Sequence, residues 1–250
     1  MTESTGRIKN RIKADAILWD FDGTLADTAA KNIAITKQIL EKVAPKLTGS
    51  NLPKWLRSKT EYHKANHGAE NWRDLYRNYF GMSTEEIHTA GPMWQEYQAM
   101  DDTEVKLFDG IRETVAELAT TPMGVSSANS SYNISRVLNN QGISLFFRSV
   151  VGYENFIVAE QKPAAPPGLK CLSEVLGDEV LEDTHGKTII YVGDHIADVI
   201  FARNISQSLG PSSTVISVVV TYSGAEPNRW HTQPDVVINH PAELIDQIIK

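Results

Sequence analysis

Two carboxylates one residue apart, Asp20 and Asp22, stand directly behind the apolar run Ala14-Asp15-Ala16-Ile17-Leu18-Trp19 and just ahead of Gly23-Thr24. An acid pair with Gly-Thr behind a short buried strand is poor turn economy, but it suits a cation or a proton transfer. Other short apolar runs are also followed by polar groups. Ser126-Ser127-Ala128-Asn129 follows Met123–Val125, and Lys162-Pro163 lies in the stretch after Ser149–Val151. Gly193-Asp194-His195, with Asp198 four residues beyond Asp194, follows Thr188–Val192. Ser126 alone is unremarkable; its place after a strand raises it. Carboxylates, a hydroxyl, backbone amides and one lysine form a coherent set for holding a hard cation beside an oxyanion.

The secondary structure must do the gathering. Ala14–Trp19 is short, apolar and stopped by a Gly turn, which suits a buried parallel strand. Met123–Val125, Ser149–Val151, Thr188–Val192, Thr214–Val220 and Asp235–Ile238 read as further strands, with helices over Ile111–Ala119, Gly168–Leu176 and Ile196–Asn204. This alternation predicts an α/β fold built on a doubly wound, Rossmann-like parallel sheet covered on both faces. Ligands bind such sheets beyond the carboxyl ends of the strands, where these polar groups fall.

From Asp27 to about Met100 the texture is helical instead. Ile33, Ile39, Leu40 and Val43 recur at helical spacing until Pro45, and Trp72, Leu75, Tyr76, Tyr79 and Phe80 repeat the pattern. Ser83-Thr84-Glu85-Glu86 has the form of a capping box, and Gly91-Pro92 is expected to kink or break the helix that begins there. The chain therefore divides into a polar, basic N-terminal tail at 1–13, a core of 14–26 and 102–250, and an all-helical cap domain inserted at 27–101. The linkers fall near Thr24–Asp27 and Asp101–Phe108.

At 250 residues and 41% hydrophobic, the chain can bury a core without disulfides or structural metals. Its one cysteine, Cys171, has no internal partner, which fits a reducing, cytoplasmic setting. No apolar run is long enough to span a membrane, and the N-terminal stretch does not read as a secretory signal. A net charge of −7 disfavours nucleic acid as a partner. Charge also decides the cofactor. A phosphate dianion about 4 Å from a carboxylate is repelled by roughly 4 kcal/mol per charge pair at an effective dielectric near 20. Lys162 alone does not offset four aspartates and such a dianion, so a divalent cation is required, and hard oxygen ligands favour magnesium.

Asp20-Phe21-Asp22-Gly23-Thr24 resembles the first signature of the haloacid dehalogenase superfamily of phosphatases. Ser126, Lys162-Pro163, and Gly193-Asp194 through Asp198 resemble its second, third and fourth signatures, in order and each after a strand. The resemblance spans roughly Ala14–Asp27 and Phe108 to the end of the sequence. It implies that Asp20 attacks phosphorus to form an aspartyl-phosphate. Asp22 would protonate the leaving alcohol and then deprotonate water. Ser126 and the backbone amide of Ser127 would hold phosphoryl oxygens, and Lys162 would neutralise charge. Magnesium would bind Asp20, the carbonyl of Asp22, and Asp194. Asp198 would stand behind them, facing either the metal or Lys162. One departure is visible: family members commonly read Lys-Pro-x-Pro, whereas this chain reads Lys162-Pro163-Ala164-Ala165-Pro166-Pro167.

The same resemblance sets the competing chemistries. Carbon–halogen hydrolysis is disfavoured by Asp22, since a halide leaves without a proton. A sugar phosphomutase needs an acid/base group at the start of the cap, where Lys31 and Asn32 stand. A phosphonate hydrolase needs a Schiff-base lysine there, for which Lys59 and Lys64 are the candidates. A non-catalytic scaffold gains little from an intact acid pair and lysine. Helical caps in this superfamily go with small substrates, so the expected partner is a small phosphorylated metabolite, phosphoglycolate among the examples. Elsewhere structural roles prevail. Asp27 reads as a helix N-cap, His63 and His67 as a solvated helix end, and Trp55, Trp72 and Trp94 as packing of the cap. His195 can hydrogen-bond near the site.

Overall fold

The structure is a computed structural model that describes residues 12–177 and 186–248. The tail expected at 1–13 lies outside these residues up to Arg11. Ile12, read as part of it, instead pairs with Ile248 and donates its N–H to Gln247. The described residues fall into two compact units, one up to Ala26 and from Leu107 on, the other from Asp27 to Lys106.

The first unit is a six-stranded parallel sheet of β1 (Ala16–Trp19), β4 (Met123–Ser126), β5 (Ser149–Val151), β6 (Thr188–Gly193), β7 (Thr214–Val220) and β8 (Val236–Ile238). Its order is β5-β4-β1-β6-β7-β8. The strands between, β2 (Ala26–Asp27) and β3 (Lys106–Leu107), are the two crossings to the second unit and pair with each other. The strand order reverses at β1, so chain connections leave it toward both edges. Crossovers of one hand then put helices on both faces, and the switch point lies between β1 and β6. All four residues of β1 are buried, as its unbroken apolar run requires. After α5 (Ile111–Glu117) and α6 (Ser131–Asn140) in the chain, helix α7 (Pro166–Leu176) and helix α8 (Ile196–Leu209) cover one face through Leu172, Val175, Phe201 and Ile205, packed with Leu18 and Tyr191. The displaced proline of the third signature lands at the first position of α7, where its missing N–H costs nothing.

The second unit contains α1 (Ala29–Val43), α2 (Lys59–Gly68), the short α3 (Trp72–Asp74) and α4 (Thr84–Met100). It has its own core, built on Ile35, Ile39, Leu40, Leu56, Leu75 and Phe80. The capping box at Ser83 and Glu86 is present in both directions. Two expectations, a break at Pro92 and a uniform helix from Trp72 to Phe80, fail here. Helix α4 runs unbroken through Gly91-Pro92, because the proline forfeits a single hydrogen bond while the rest of a long helix stays packed, and Trp72 seats against Gly91. The apolar repeat from Trp72 to Phe80 is not a uniform α-helix. It widens into a π turn over Leu75–Tyr79, with Phe80 N–H donating to Leu75.

Lys31 is 1% exposed at its side chain and pairs with Asp101 at 3.6 Å. Its ammonium also donates to the Asp101 carbonyl, and Gln38 donates to the same carboxylate at 3.0 Å. This buried pair ties the start of α1 to the end of α4. Removing one member leaves the other charge in a dry interior, so Asp101→Ala is expected to destabilise the fold by about 3 kcal/mol. Urea unfolding of the full chain tests this; an unchanged midpoint would mean that Lys31 finds another counter-charge.

Candidate functional site

Asp20 leaves the carboxyl end of β1, its N–H donating to Val192 of β6 at 2.8 Å. Register does the rest. Trp19 pairs with Val125 on one side and Val192 on the other, which sets Asp20 beside Ser126 and Gly193. The turn behind it closes when Leu25 and Ala26 both donate to Phe21. Gly23 takes φ +75° there, and a Cβ on it would lie 2.0 Å from Asp194 Oδ2. Only glycine lets this turn meet Asp194.

Lys162 Nζ lies 2.7 Å from Asp20 Oδ1 and also ion-pairs with Asp198 Oδ1. The ammonium is almost wholly buried and lies 5.1 Å from the ring centre of Tyr191. Asp198 Oδ2 accepts from the backbone N–H of Asp194 at 3.1 Å and of His195 at 2.8 Å. Asp198 therefore faces Lys162 with one oxygen and braces the Asp194 backbone with the other. Asp194 itself accepts from Ser223 Oγ at 2.8 Å. His195 caps α8, its Nδ1 accepting from Ala197 N–H at 3.1 Å.

The electrostatics are severe. Oxygen atoms of Asp20, Asp194 and Asp198 lie within 4.8 Å of one another, and all three residues are buried. Burial raises the Asp20 carboxyl most, the Lys162 ammonium pulls it down, and Asp198, Asp194 and Asp22 raise it again, so that together they push it up to about 8. For Lys162, burial acts to lower the pKa, but the carboxylates of Asp198 and Asp20 outweigh it and hold the group above its usual range. One ammonium thus faces more negative charge than it can offset. A hard oxygen donor set with such an excess suits a divalent cation.

The second signature differs from expectation in one atom. The Ser127 N–H, expected to hold a phosphoryl oxygen, instead donates to Val151 at 3.1 Å, because the β4–β5 ladder extends one residue past the strand. Ser126 is fully buried, and its hydroxyl has no partner among the described residues. The Ser127 hydroxyl accepts from Asn129 N–H at 3.3 Å, which leaves its own proton to donate. Asp22 Oδ2 accepts from Asn129 Nδ2 at 2.8 Å.

Ser223 is a site residue that sequence reasoning missed, while Asn129 was placed at the strand end but given no task. Ser223 comes just after β7 at the same sheet edge, so extending the strand-end rule to the Thr214–Val220 strand would have found it. Tyr222 beside it donates to the Thr24 carbonyl at 2.6 Å and braces the Gly23–Thr24 turn.

In the second unit, Asp27 Oδ1 accepts from Ala29 N–H at 3.3 Å, capping the first turn of α1 from one position before the N-cap Thr28. Its other oxygen pairs with Lys59 at 2.7 Å, while Lys64 pairs with Glu61 at 3.0 Å. His63 stacks on His67 with ring centres 5.9 Å apart, rather than ending the helix in solvent.

Residues 17–208 match the family described as haloacid dehalogenase-like hydrolase. A Pseudomonas aeruginosa protein named N-acetylmuramic acid 6-phosphate phosphatase is 26% identical over 242 residues, covering 94% of this chain and 95% of its own. A phosphoglycolate phosphatase of Agrobacterium fabrum is 26% identical over 237 residues, covering 91% and 89%. Among solved structures, a haloacid dehalogenase-like family hydrolase of Streptococcus pneumoniae superposes with a TM-score of 0.65 at 18% identity. That superposition covers 93% of this chain and 97% of the other.

The Asp20 environment predicts a pH signature for the protein stripped of divalent cations. A carboxyl that binds its proton more tightly when folded contributes fully at pH below its ordinary value of 3.8 and loses that contribution as pH rises through about 8. Asp20→Asn removes the loss. Thermal melting in chelator is expected to show the variant gaining on the wild type as pH rises across that window, by several degrees at its top. Parallel curves would mean that Asp20 titrates normally.

Proposed function

The chain belongs to the haloacid dehalogenase-like hydrolases, and we propose that it is a magnesium-dependent phosphatase of small phosphorylated metabolites working through an aspartyl-phosphate on Asp20. The observation that carries this reading is the buried ion-paired set of Asp20, Lys162 and Asp198, with Asp194 beside it. A nucleophilic carboxylate, a fixed counter-charge and a surplus of hard oxygen donors are what phosphoryl transfer to an aspartate needs.

In this reading Asp20, Asp194 and the Asp22 carbonyl would hold magnesium, which when bound would supply positive charge to offset the clustered carboxylates and the phosphate. An Asp20 oxygen attacks phosphorus as the bond to the leaving oxygen breaks, and Asp22 gives that oxygen a proton. Water then attacks the aspartyl-phosphate, Asp22 takes the water's proton, and Asp20 is released with inorganic phosphate. Lys162 neutralises the nucleophile and the arriving phosphate in turn, while Asp198 holds Lys162 in place. The Ser126 and Ser127 hydroxyls bind phosphoryl oxygens. With the Ser127 N–H committed to Val151, the N–H of Ala128, an exposed residue, takes over the amide's part.

The inserted helical unit is read as the cap that selects the substrate. Both relatives carry names that pair a phosphate ester with a carboxylic acid, muramic acid in one and glycolate in the other. Small phosphorylated carboxylic acids are therefore the substrate class to screen first.

Hydrolysis of an aryl phosphate, with magnesium and with excess chelator, tests the chemistry. Asp20→Asn is expected to lose at least about 10³-fold in kcat while still melting in one cooperative transition, and chelator is expected to silence the wild type reversibly. Turnover near wild type in Asp20→Asn would overturn the covalent route. Lys162→Ala is expected to weaken turnover and inhibition by inorganic phosphate together, each by roughly 10²-fold. An unchanged rate would move the counter-charge to another group.

A further inference from the structure

Asp22 is held by a line of side chains to which the proposed mechanism gives no task. Asn129 is 7% exposed, and its Oδ1 accepts from Ser130 N–H at 2.8 Å and from Asn133 Nδ2 at 3.2 Å. Two donors on one atom fix which way round the amide sits, so the Nδ2 end must face Asp22, where it donates at 2.8 Å. Behind it Asn133 is also buried, and its Oδ1 accepts from Arg136 Nη2 at 3.0 Å. Every donor in the line points the same way, from the Arg136 cation through two amides to the Asp22 carboxylate. Bonds so aligned polarise one another.

The backbone of this loop is clamped as well. The Asn129 carbonyl accepts from Tyr153 N–H at 3.2 Å. A Cβ on Gly152 would lie 2.7 Å from that carbonyl oxygen and 2.2 Å from Ser131 N, so the loop after β5 bears directly on it. Such bracing exceeds what a surface turn requires. It keeps one amide pointed at one carboxylate oxygen.

We propose that Asn129, braced by Asn133 and Arg136, is a positioning residue that pins Asp22 Oδ2 as an acceptor and so presents the proton on Oδ1 to the leaving oxygen. The inference rests on Asp22 being the proton donor of the proposed mechanism. It predicts dependence on the leaving group. An alkyl phosphate needs a proton as its alcohol departs, whereas a dinitrophenyl phosphate releases a phenolate that needs none.

The experiment compares kcat/KM for these two esters in wild type, Asp22→Asn, Asn129→Leu and the double variant, with magnesium throughout. Asn129→Leu is expected to lose about 30-fold on the alkyl ester and under about threefold on the dinitrophenyl ester, with KM little changed. In the Asp22→Asn background the same change is expected to cost less than about twofold more, since it acts only through Asp22. Equal losses on both esters in Asn129→Leu, beside a selective Asp22→Asn, would overturn the inference alone. A non-selective Asp22→Asn would remove the proton-donor reading and this inference with it. Should Asn129→Leu not fold, Asn133→Ala carries the same contrast at about fivefold on the alkyl ester, by releasing the amide that Asn129 leans on; no selectivity there overturns the proposal equally.

Discussion

Three carboxylates crowd the edge of the sheet where β1 and β6 diverge, and a single buried ammonium stands among them. Much of the local architecture answers that imbalance. Asp198 is divided between Lys162 and two backbone N–H groups, so one of its oxygens serves the cation and the other is already compensated. Asp194 is steadied by Ser223, and Asp20 by Lys162. Glycine at 23 lets the turn carrying Asp22 close against Asp194 without collision. None of these devices cancels the charge. They hold the acids in place against their mutual repulsion, so that a cation would find a site requiring little rearrangement.

The fold class and most of the site could be read from strand ends. An unbroken apolar run such as Ala16–Trp19 has few uses outside a buried parallel strand, and the residue after it inherits a fixed position at the sheet edge. Lys162 was legible for a related reason: within its signature only a cation answers the acids, and the shifted proline merely begins α7. The features that stayed hidden depend on register and on partners distant in sequence. The Ser127 amide looked available because a sequence does not show how far a ladder runs past its strand. Asn129 and Ser223 look like ordinary loop residues until folding brings them to Asp22 and Asp194.

The helical unit shows the other limit. Periodicity identified its helices, but the break assigned to Pro92 and the uniform helix assigned to Trp72–Phe80 both applied local propensity where packing decides. Gly91 admits Trp72, and Leu75 accepts from Phe80 across a wider turn. Lys31 stands in the sequence only as a position that offers no convincing acid/base group, yet it is buried against Asp101. Long charged residues deep inside a helical unit leave little trace in a hydrophobic repeat, because their partners come from the far end of the segment.

The place of β1 in the sheet also bears on how the molecule is made. Both of its neighbours, β4 and β6, lie beyond the insertion, so this apolar strand emerges from the ribosome with nothing to pair against. At typical translation speed the stretch from Trp19 to Met123 takes on the order of ten seconds to appear. Residues 27–106 can close around their own core in that interval, leaving a folded bundle tethered to a waiting strand. Lys162 is then synthesised ahead of Asp194 and Asp198. The neutralising charge is thus already in the nascent chain when the last two acids arrive.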